Sequence, residues 1–458
     1  MRGSLRGREP VIEIDKERRK YVTPLFAAHM AAALILAASW ASPQAQPRPL
    51  LREIMGINGH TVLFKPELYK QVCRLARDYH PMDWDVGNET HFATRFPFAR
   101  NMVNWESVYG SWVKEGFTVN PCVMFETIPH DKWHDLAADA FAYGFCFARF
   151  FGPSGTQRLC ESIEIGNEPG LYDDATYRTV FENMARGVRK GDPKMKIATC
   201  AVVNGPSHRY AKSLECFKGL ENLYDVISFH CYAEVEGWPT WRRSFPEDPK
   251  IKFLREIRDV IAWRDKHAPG KAVWLTEFGW DACTKPPPTS GDFAKWESST
   301  ETQQAQWLVR AFLVFARIGL ERAYVFFFDD KDEPHVHGSS GITREYKPKP
   351  SFYALAHLFQ TLGEYRLERV LVEREGDLYV YDFRHGQDRR RGVRVTWSPT
   401  GSGRRLRAAL PAPPGTIQWA QRMPLKEGPA ESVSYNQSGG QITLDVDESP
   451  VYMGFTEF

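Results

Sequence analysis

The run Glu161-Ser162-Ile163-Glu164-Ile165-Gly166-Asn167-Glu168-Pro169 closes an apolar stretch with an Asn-Glu pair, and Pro169 must stop any strand there. A second run, Val273-Trp274-Leu275-Thr276-Glu277-Phe278-Gly279-Trp280, closes another apolar stretch with a carboxylate. In a parallel barrel, side chains at the C-terminal ends of the strands face the mouth where active sites form. Two carboxylates converging across one mouth are what cleavage of a glycosidic bond needs. One protonates the leaving oxygen while the other attacks the sugar or activates water. Free glutamates are both ionised at pH 7, so their surroundings must set the two apart. A salt-bridged strand-end glutamate explains either run alone, but not the pair in this order.

The elements that must position this pair are legible. Eight β-rich runs, 51–57, 73–79, 118–125, 162–165, 196–203, 226–232, 272–278 and 323–328, alternate with longer runs of helical period. Most are continuously apolar, as strands covered by helices on one side and packed side chains on the other must be. Helical patterns occupy 132–150, 175–190, 251–267 and 351–362. Thr300 and Gln303 read as a capping box opening one further helix, which Gly319 ends. The stretch 80–104 lacks either period and reads as a long loop after the second strand. From about residue 364, short alternating strands punctuated by Gly and Pro take over: 369–373, 378–384, 392–397, 404–409, 417–420, 432–435, 441–446 and 451–455. The expected fold is a (β/α)8 barrel over residues 46–363 followed by a small antiparallel β-sandwich over 364–458.

Composition agrees with an ordinary globular chain. Its 458 residues are 43% apolar and 25% charged, enough to build a core and unlike disordered or multi-span sequences. The formal charge of +2 comes from the N-terminus, where residues 1–45 hold seven Lys/Arg and four Asp/Glu; the rest carries 52 basic against 53 acidic residues. No global signal for nucleic acid follows. Residues 1–45 read as a signal peptide, with a basic stretch, an uncharged apolar run over 25–40 and small residues to Ala45. The run is shorter than a bilayer needs, so no membrane span is expected after cleavage, and a secreted, periplasmic or cell-envelope location follows. Arg18-Arg19-Lys20 resembles a twin-arginine signal. The eight cysteines form no CxxC pair, so a metal site is not expected and mostly free, buried thiols are. The basic clusters at 389–391 and 404–407 read as a solvated face.

With these runs on the page, the chain resembles the retaining glycoside hydrolases of clan A, most of all families 39 and 5, over roughly residues 51–458. The resemblance implies that Glu168 is the general acid/base, Glu277 the nucleophile, and Asn167 the residue that hydrogen-bonds the sugar 2-hydroxyl. His230-Cys231-Tyr232 is similar to the clan's His-x-Tyr, whose tyrosine contacts the nucleophile, and Arg77 to the arginine beside it. The tract Lys347-Pro348-Lys349-Pro350-Ser351-Phe352-Tyr353-Ala354-Leu355 resembles the entry to the last barrel helix. Sugar faces pack on aromatic rings, which makes Trp280 the expected binding platform and Trp84, Trp105, Trp238 and Trp241 further subsite candidates. His335 and His337 read as a loop pair facing substrate or solvent rather than a metal pair. The expectation is an exported retaining β-glycosidase acting on a polysaccharide or oligosaccharide without a cofactor. The alternatives are a transglycosylase or an α-L-arabinofuranosidase on the same barrel, or a catalytically silent carbohydrate-binding protein.

Overall fold

The computed structural model describes residues 48–458 apart from 88, 92 and 93. The expected export segment, residues 1–45, lies outside the described residues. Eight parallel strands close into a barrel: β1 (Met55–Asn58), β2 (Leu75–Pro81), β3 (Thr118–Met124), β4 (Ser162–Ile165), β5 (Lys196–Ala198), β6 (Val226–His230), β7 (Ala272–Phe278) and β8 (Arg322–Val325). Each pairs with its neighbours in chain order, and β1 closes on β8. Six long helices cover the outside: α1 (Trp105–Lys114), α2 (Leu136–Phe151), α3 (Asp174–Gly191), α4 (Phe253–His267), α5 (Glu301–Ile318) and α6 (Pro350–Leu362). The capping box of α5 is formed, with the Thr300 hydroxyl accepting from the Gln303 N–H and Gln303 accepting from the Thr300 N–H. Gly319 ends the helix at φ 93°.

Three strand expectations are corrected. The run 51–57 begins with a helical turn, Leu51–Ile54, because Glu53 accepts the Leu50 N–H at 2.7 Å while its own N–H reaches the Leu50 carbonyl; β1 starts at Met55. The run 196–203 leaves the barrel after Ala198, and Val202–Val203 pairs instead with Lys212–Ser213. The run 323–328 ends as a strand at Val325, where the chain turns into the loop that builds the mouth. Of the expected loop 80–104, residues 80–81 end β2, and the other described residues are largely irregular, with one short helix, Met82–Val86. A buried polar cluster pins it. Asp85 accepts from the Trp105 indole N–H and the Tyr143 hydroxyl, each at 2.7 Å, and lies 2.8 Å from His80 Nε2.

The C-terminal strands are β9 (Tyr365–Arg374), β10 (Leu378–His385), β11 (Arg391–Trp397), β12 (Leu406–Pro411), β13 (Thr416–Arg422), β14 (Tyr435–Ser438), β15 (Gln441–Val446) and β16 (Val451–Thr456). They form a five-stranded antiparallel sheet, β9-β10-β11-β16-β13, and a three-stranded one, β12-β15-β14. Alternation along the strands serves two cores at once. Leu378, Val380, Val451 and Met453 face Ala408, Leu410, Ile442 and Leu444 between the sheets, whereas Tyr379, Tyr381, Trp397 and Tyr452 pack into the barrel's core. A buried ion cluster joins the two: Arg310 of α5 donates to Glu247 and, at 2.5 Å, to Glu448 between β15 and β16, and the Trp397 indole donates to Glu247 at 2.7 Å. Among the described residues no helix is long and apolar enough to cross a membrane, and all eight cysteines are free, five of them buried. Arg389, Arg404 and Arg407 of the basic clusters form surface pairs with Glu368, Asp377 and Asp445.

Candidate active site

The mouth of the barrel is built on two turns. After β4, Gly166 takes φ 88°, a conformation open to glycine, and a Cβ there would come 2.9 Å from the Phe125 ring. That turn swings Asn167 and Glu168 outward. Their N–H groups both donate to one oxygen of Glu126, just past β3, at 2.7 and 3.0 Å. After β7, Gly279 lets the chain approach β8, since a Cβ would lie 2.4 Å from the Phe326 carbonyl oxygen.

Glu277 sits opposite His230 in the β6–β7 register and is held from three sides. The Tyr79 hydroxyl donates to its Oε1 at 2.6 Å, the Tyr232 hydroxyl to its Oε2 at 2.9 Å, and Arg77 Nη1 to Oε1 at 3.2 Å. Arg77, fully buried on β2, is itself fixed by Glu164 at 2.7 and 3.1 Å, by Asn58 Oδ1 at 2.8 Å and by Asn167 Oδ1 at 2.8 Å. Asn58 ties the floor together by donating to the carbonyls of Thr276 on β7 and Val325 on β8. The Arg243 guanidinium lies 4.3 Å above the Tyr232 ring and donates to the Gly279 carbonyl. His230 Nδ1 is 2.9 Å from Glu168 Oε1 and 3.6 Å from Glu277 Oε2. The side chain of Glu168 is 29% exposed and that of Glu277 is 8% exposed, so one carboxylate stands at the opening and the other at the floor.

Electrostatics moves Glu277 and Glu126 in opposite directions. Burial alone would raise the pKa of Glu277; the charges of His230 and Arg77 and the hydrogen bonds from Tyr79 and Tyr232 outweigh it, and the pKa lies below the usual glutamate range. An ionised, oriented carboxylate has the charge state a nucleophile needs. Glu126 goes the other way: burial outweighs its backbone hydrogen bonds and lifts it to about 7. Among the described residues, Glu168, His230 and Glu277 form the one set of three potential metal ligands, with donor atoms within 4.8 Å of one another. His230 Nδ1 is within hydrogen-bond distance of Glu168 and the Tyr232 hydroxyl donates to Glu277, whereas His230 Nε2 is buried with no hydrogen-bonding partner.

The structure thus brings together Glu168, Glu277, Asn167, His230, Tyr232 and Arg77. Trp280 is corrected. It is 1% exposed, its indole N–H donates to the Ser244 carbonyl, and its ring packs among Phe253, Phe278 and Trp307, so it offers no open face to a sugar. It follows the end of β7 and falls into the seam between barrel and helices. Trp105 is likewise buried, stacked 3.8 Å from the His80 ring, with Trp84 beside it. Trp238 is 68% exposed. Asn58, Tyr79, Glu126 and Glu164 belong to the site without having been singled out. Tyr79 carried a signal, since it follows Arg77 by two on the same strand and shares its face.

No protein-family model matches the chain, and no curated protein does. Its fold is similar to several solved structures. A family 39 glycoside hydrolase from Bacteroides cellulosilyticus WH2 is 16% identical with a TM-score of 0.65, the alignment covering 89% of this chain and 82% of that one. A glucosidase from Croceicoccus marinus is 13% identical with a TM-score of 0.62, over 90% and 98% of the two chains. A family 51 α-L-arabinofuranosidase, AbfB, from Bifidobacterium longum is 12% identical with a TM-score of 0.58, over 89% and 97%. At these identities the likeness is one of fold.

Proposed function

We propose that the chain is an exported retaining β-glycosidase that hydrolyses glycosidic bonds of an oligosaccharide or polysaccharide by double displacement. The observation that carries this reading is the spacing of the pair. One oxygen of Glu168 and one of Glu277 lie within 4.8 Å of each other, the close placement expected where the carboxyl groups stand ~5–5.5 Å apart as in retaining enzymes. In the first step Glu277 attacks the anomeric carbon while Glu168 protonates the departing oxygen, leaving a glycosyl ester on Glu277. In the second, Glu168 takes a proton from water, whose oxygen attacks the same carbon and frees Glu277. Because Arg77 occupies the Asn167 carbonyl oxygen, the Nδ2 end of that amide is left to donate to the sugar 2-hydroxyl. Export rests on residues 1–45. The solved structures of similar fold are glycoside hydrolases, which supports the reaction class and leaves the sugar to experiment.

The test is intact-mass spectrometry of the chain without residues 1–45 after incubation with 2-deoxy-2-fluoro β-glucosides, β-xylosides and α-L-arabinofuranosides. The fluorine slows breakdown of the intermediate, so a glycosyl adduct mapped to Glu277 and absent from Glu277→Gln is expected. Inverted anomeric configuration in the product would refute retention. Product analysis also distinguishes hydrolysis from transfer to a second sugar.

A further inference from the structure

The β3–β4 ladder stops short of the acid/base, and a side chain takes over from it. The ladder pairs Val123 with Ile165, and the Gly166 N–H extends it by donating to the Val123 carbonyl at 2.9 Å. β3 ends at Met124, so the next two N–H groups, those of Asn167 and Glu168, have no strand carbonyl to meet. One oxygen, Glu126 Oε1, accepts both, at 2.7 and 3.0 Å. The carbonyls of the same two residues accept the N–H groups of Ala201 and Gly170, so all four backbone groups of the pair are tied.

The base of this support is fixed. Glu126 sits in a tight turn, Phe125–Thr127, closed by the Ile128 N–H on the Phe125 carbonyl at 2.9 Å and the Thr127 hydroxyl on the Met124 carbonyl at 2.8 Å. The buried Phe125 ring packs on Tyr172 at 5.1 Å and Tyr177 at 5.9 Å. The Glu168 side chain, by contrast, is 29% exposed, and among the described residues its carboxyl makes one hydrogen bond, with His230. Its position therefore depends on how its backbone is held. Stability alone does not explain a carboxyl at 126, because Oε2 is buried with no hydrogen-bonding partner, and an unpaired buried oxygen is costly. Oε1 accepts whether or not the carboxyl carries a proton, so the support survives titration of Glu126.

We infer that Glu126 is a positioning residue that aims Glu168 at the leaving oxygen by accepting the N–H groups of Asn167 and Glu168. The inference rests on the glycosidase reading and adds to it a residue that acts through the backbone of the acid/base. The test compares kcat/KM on 2,4-dinitrophenyl and phenyl glycosides of the panel sugars. A dinitrophenolate departs without a proton, whereas the more basic phenolate needs the acid. The ratio of the two values isolates that acid, because lost folding, or an effect through Asn167 on the sugar, lowers both alike. Glu126→Met, of similar length with no acceptor, is expected to raise the ratio ~10–100-fold over wild type. Glu126→Asp, which withdraws the carboxyl by one methylene, should raise it in the same direction, and Glu126→Gln, whose amide oxygen still accepts, should reverse most of the rise. Glu168→Ala sets the ceiling. Ratios within ~3-fold of wild type in both Glu126→Met and Glu126→Asp, with Glu168→Ala raised, would overturn the role of Glu126 and leave the glycosidase reading standing. A Glu126→Gln ratio as high as that of Glu126→Met would also overturn it. An unchanged ratio in Glu168→Ala, or a wild type that turned over none of these glycosides, would overturn the reading and this inference with it. Thermal melts identify any variant that has simply unfolded; the shorter Glu126→Asp carries the test if Glu126→Met does.

Discussion

Replacing Tyr79 by Phe removes one hydroxyl and nothing else from around Glu277. That hydroxyl donates at 2.6 Å to Oε1, shorter than the Tyr232 bond at 2.9 Å and the Arg77 bond at 3.2 Å. A hydrogen bond to a charged group contributes about 1.5–3 kcal/mol, and about 1.4 kcal/mol corresponds to one pH unit. The tyrosine stabilises the ionised carboxylate only, so its loss favours the protonated form and the pKa of Glu277 rises by about one to two units. Burial, which already opposes ionisation here, then meets less resistance. The acid limb of the kcat/KM profile, which reports the free enzyme, should therefore move to higher pH by that amount, with a smaller displacement for Tyr232→Phe and a larger one for the double variant. Activity well above the limb should fall less than activity at pH 5. The assay is the pH dependence of kcat/KM on the best aryl glycoside from the labelling panel. An acid limb in Tyr79→Phe that stays within about 0.3 unit of wild type would refute the claim that these hydroxyls set the charge of Glu277.

Glu126 makes a prediction about folding. The folded chain keeps a proton there up to about pH 7 that the unfolded chain releases near 4.5, so stability falls as pH rises across that window, by about 3 kcal/mol in all. Glu126→Gln mimics the protonated form and should flatten the fall in calorimetric melts between pH 5 and 8; parallel pH slopes in the two proteins would contradict it. Arg77→Met leaves Glu164 buried without its cation and should cost about 3–5 kcal/mol in chemical denaturation as well as activity. Glu168→Gln should slow both glycosylation and deglycosylation by about 10²–10⁴-fold, and pre-steady-state kinetics that show only one step affected would deny it the double role.

Much of this was readable from the sequence because local pattern and tertiary demand coincided. Runs 162–165 and 272–278 are strands over their full expected lengths, and Thr300, Gln303 and Gly319 begin and end α5 as their chemistry dictates. The run 51–57 misled because apolar spacing does not register a single side chain, Glu53, that caps a helical turn. At the site, residues in a recognisable run were found, whereas Glu126 and Asn58 were not. Glu126 acts through backbone N–H groups about 40 residues away and Asn58 through carbonyls over 200 away, contacts that closure of the barrel alone creates. Trp280 was misjudged for a related reason: three residues past Glu277, the chain has left the strand, so nearness in sequence no longer meant a shared face.

The buried Arg310 cluster makes the two halves of the chain mutually obligate. Arg310 belongs to a barrel helix, yet one of the two glutamates that neutralise it, Glu448, and the indole that steadies the other, Trp397, are supplied by the C-terminal sheets. Truncating the gene after α6 would therefore not yield a minimal catalyst. It would leave a guanidinium short of counter-charge on a newly bared apolar flank that had packed against Tyr379, Tyr381 and Tyr452. The C-terminal sheets are in this sense a late-arriving wall of the barrel, and a nascent chain released before residue 448 is incomplete however fully its catalytic residues have been made.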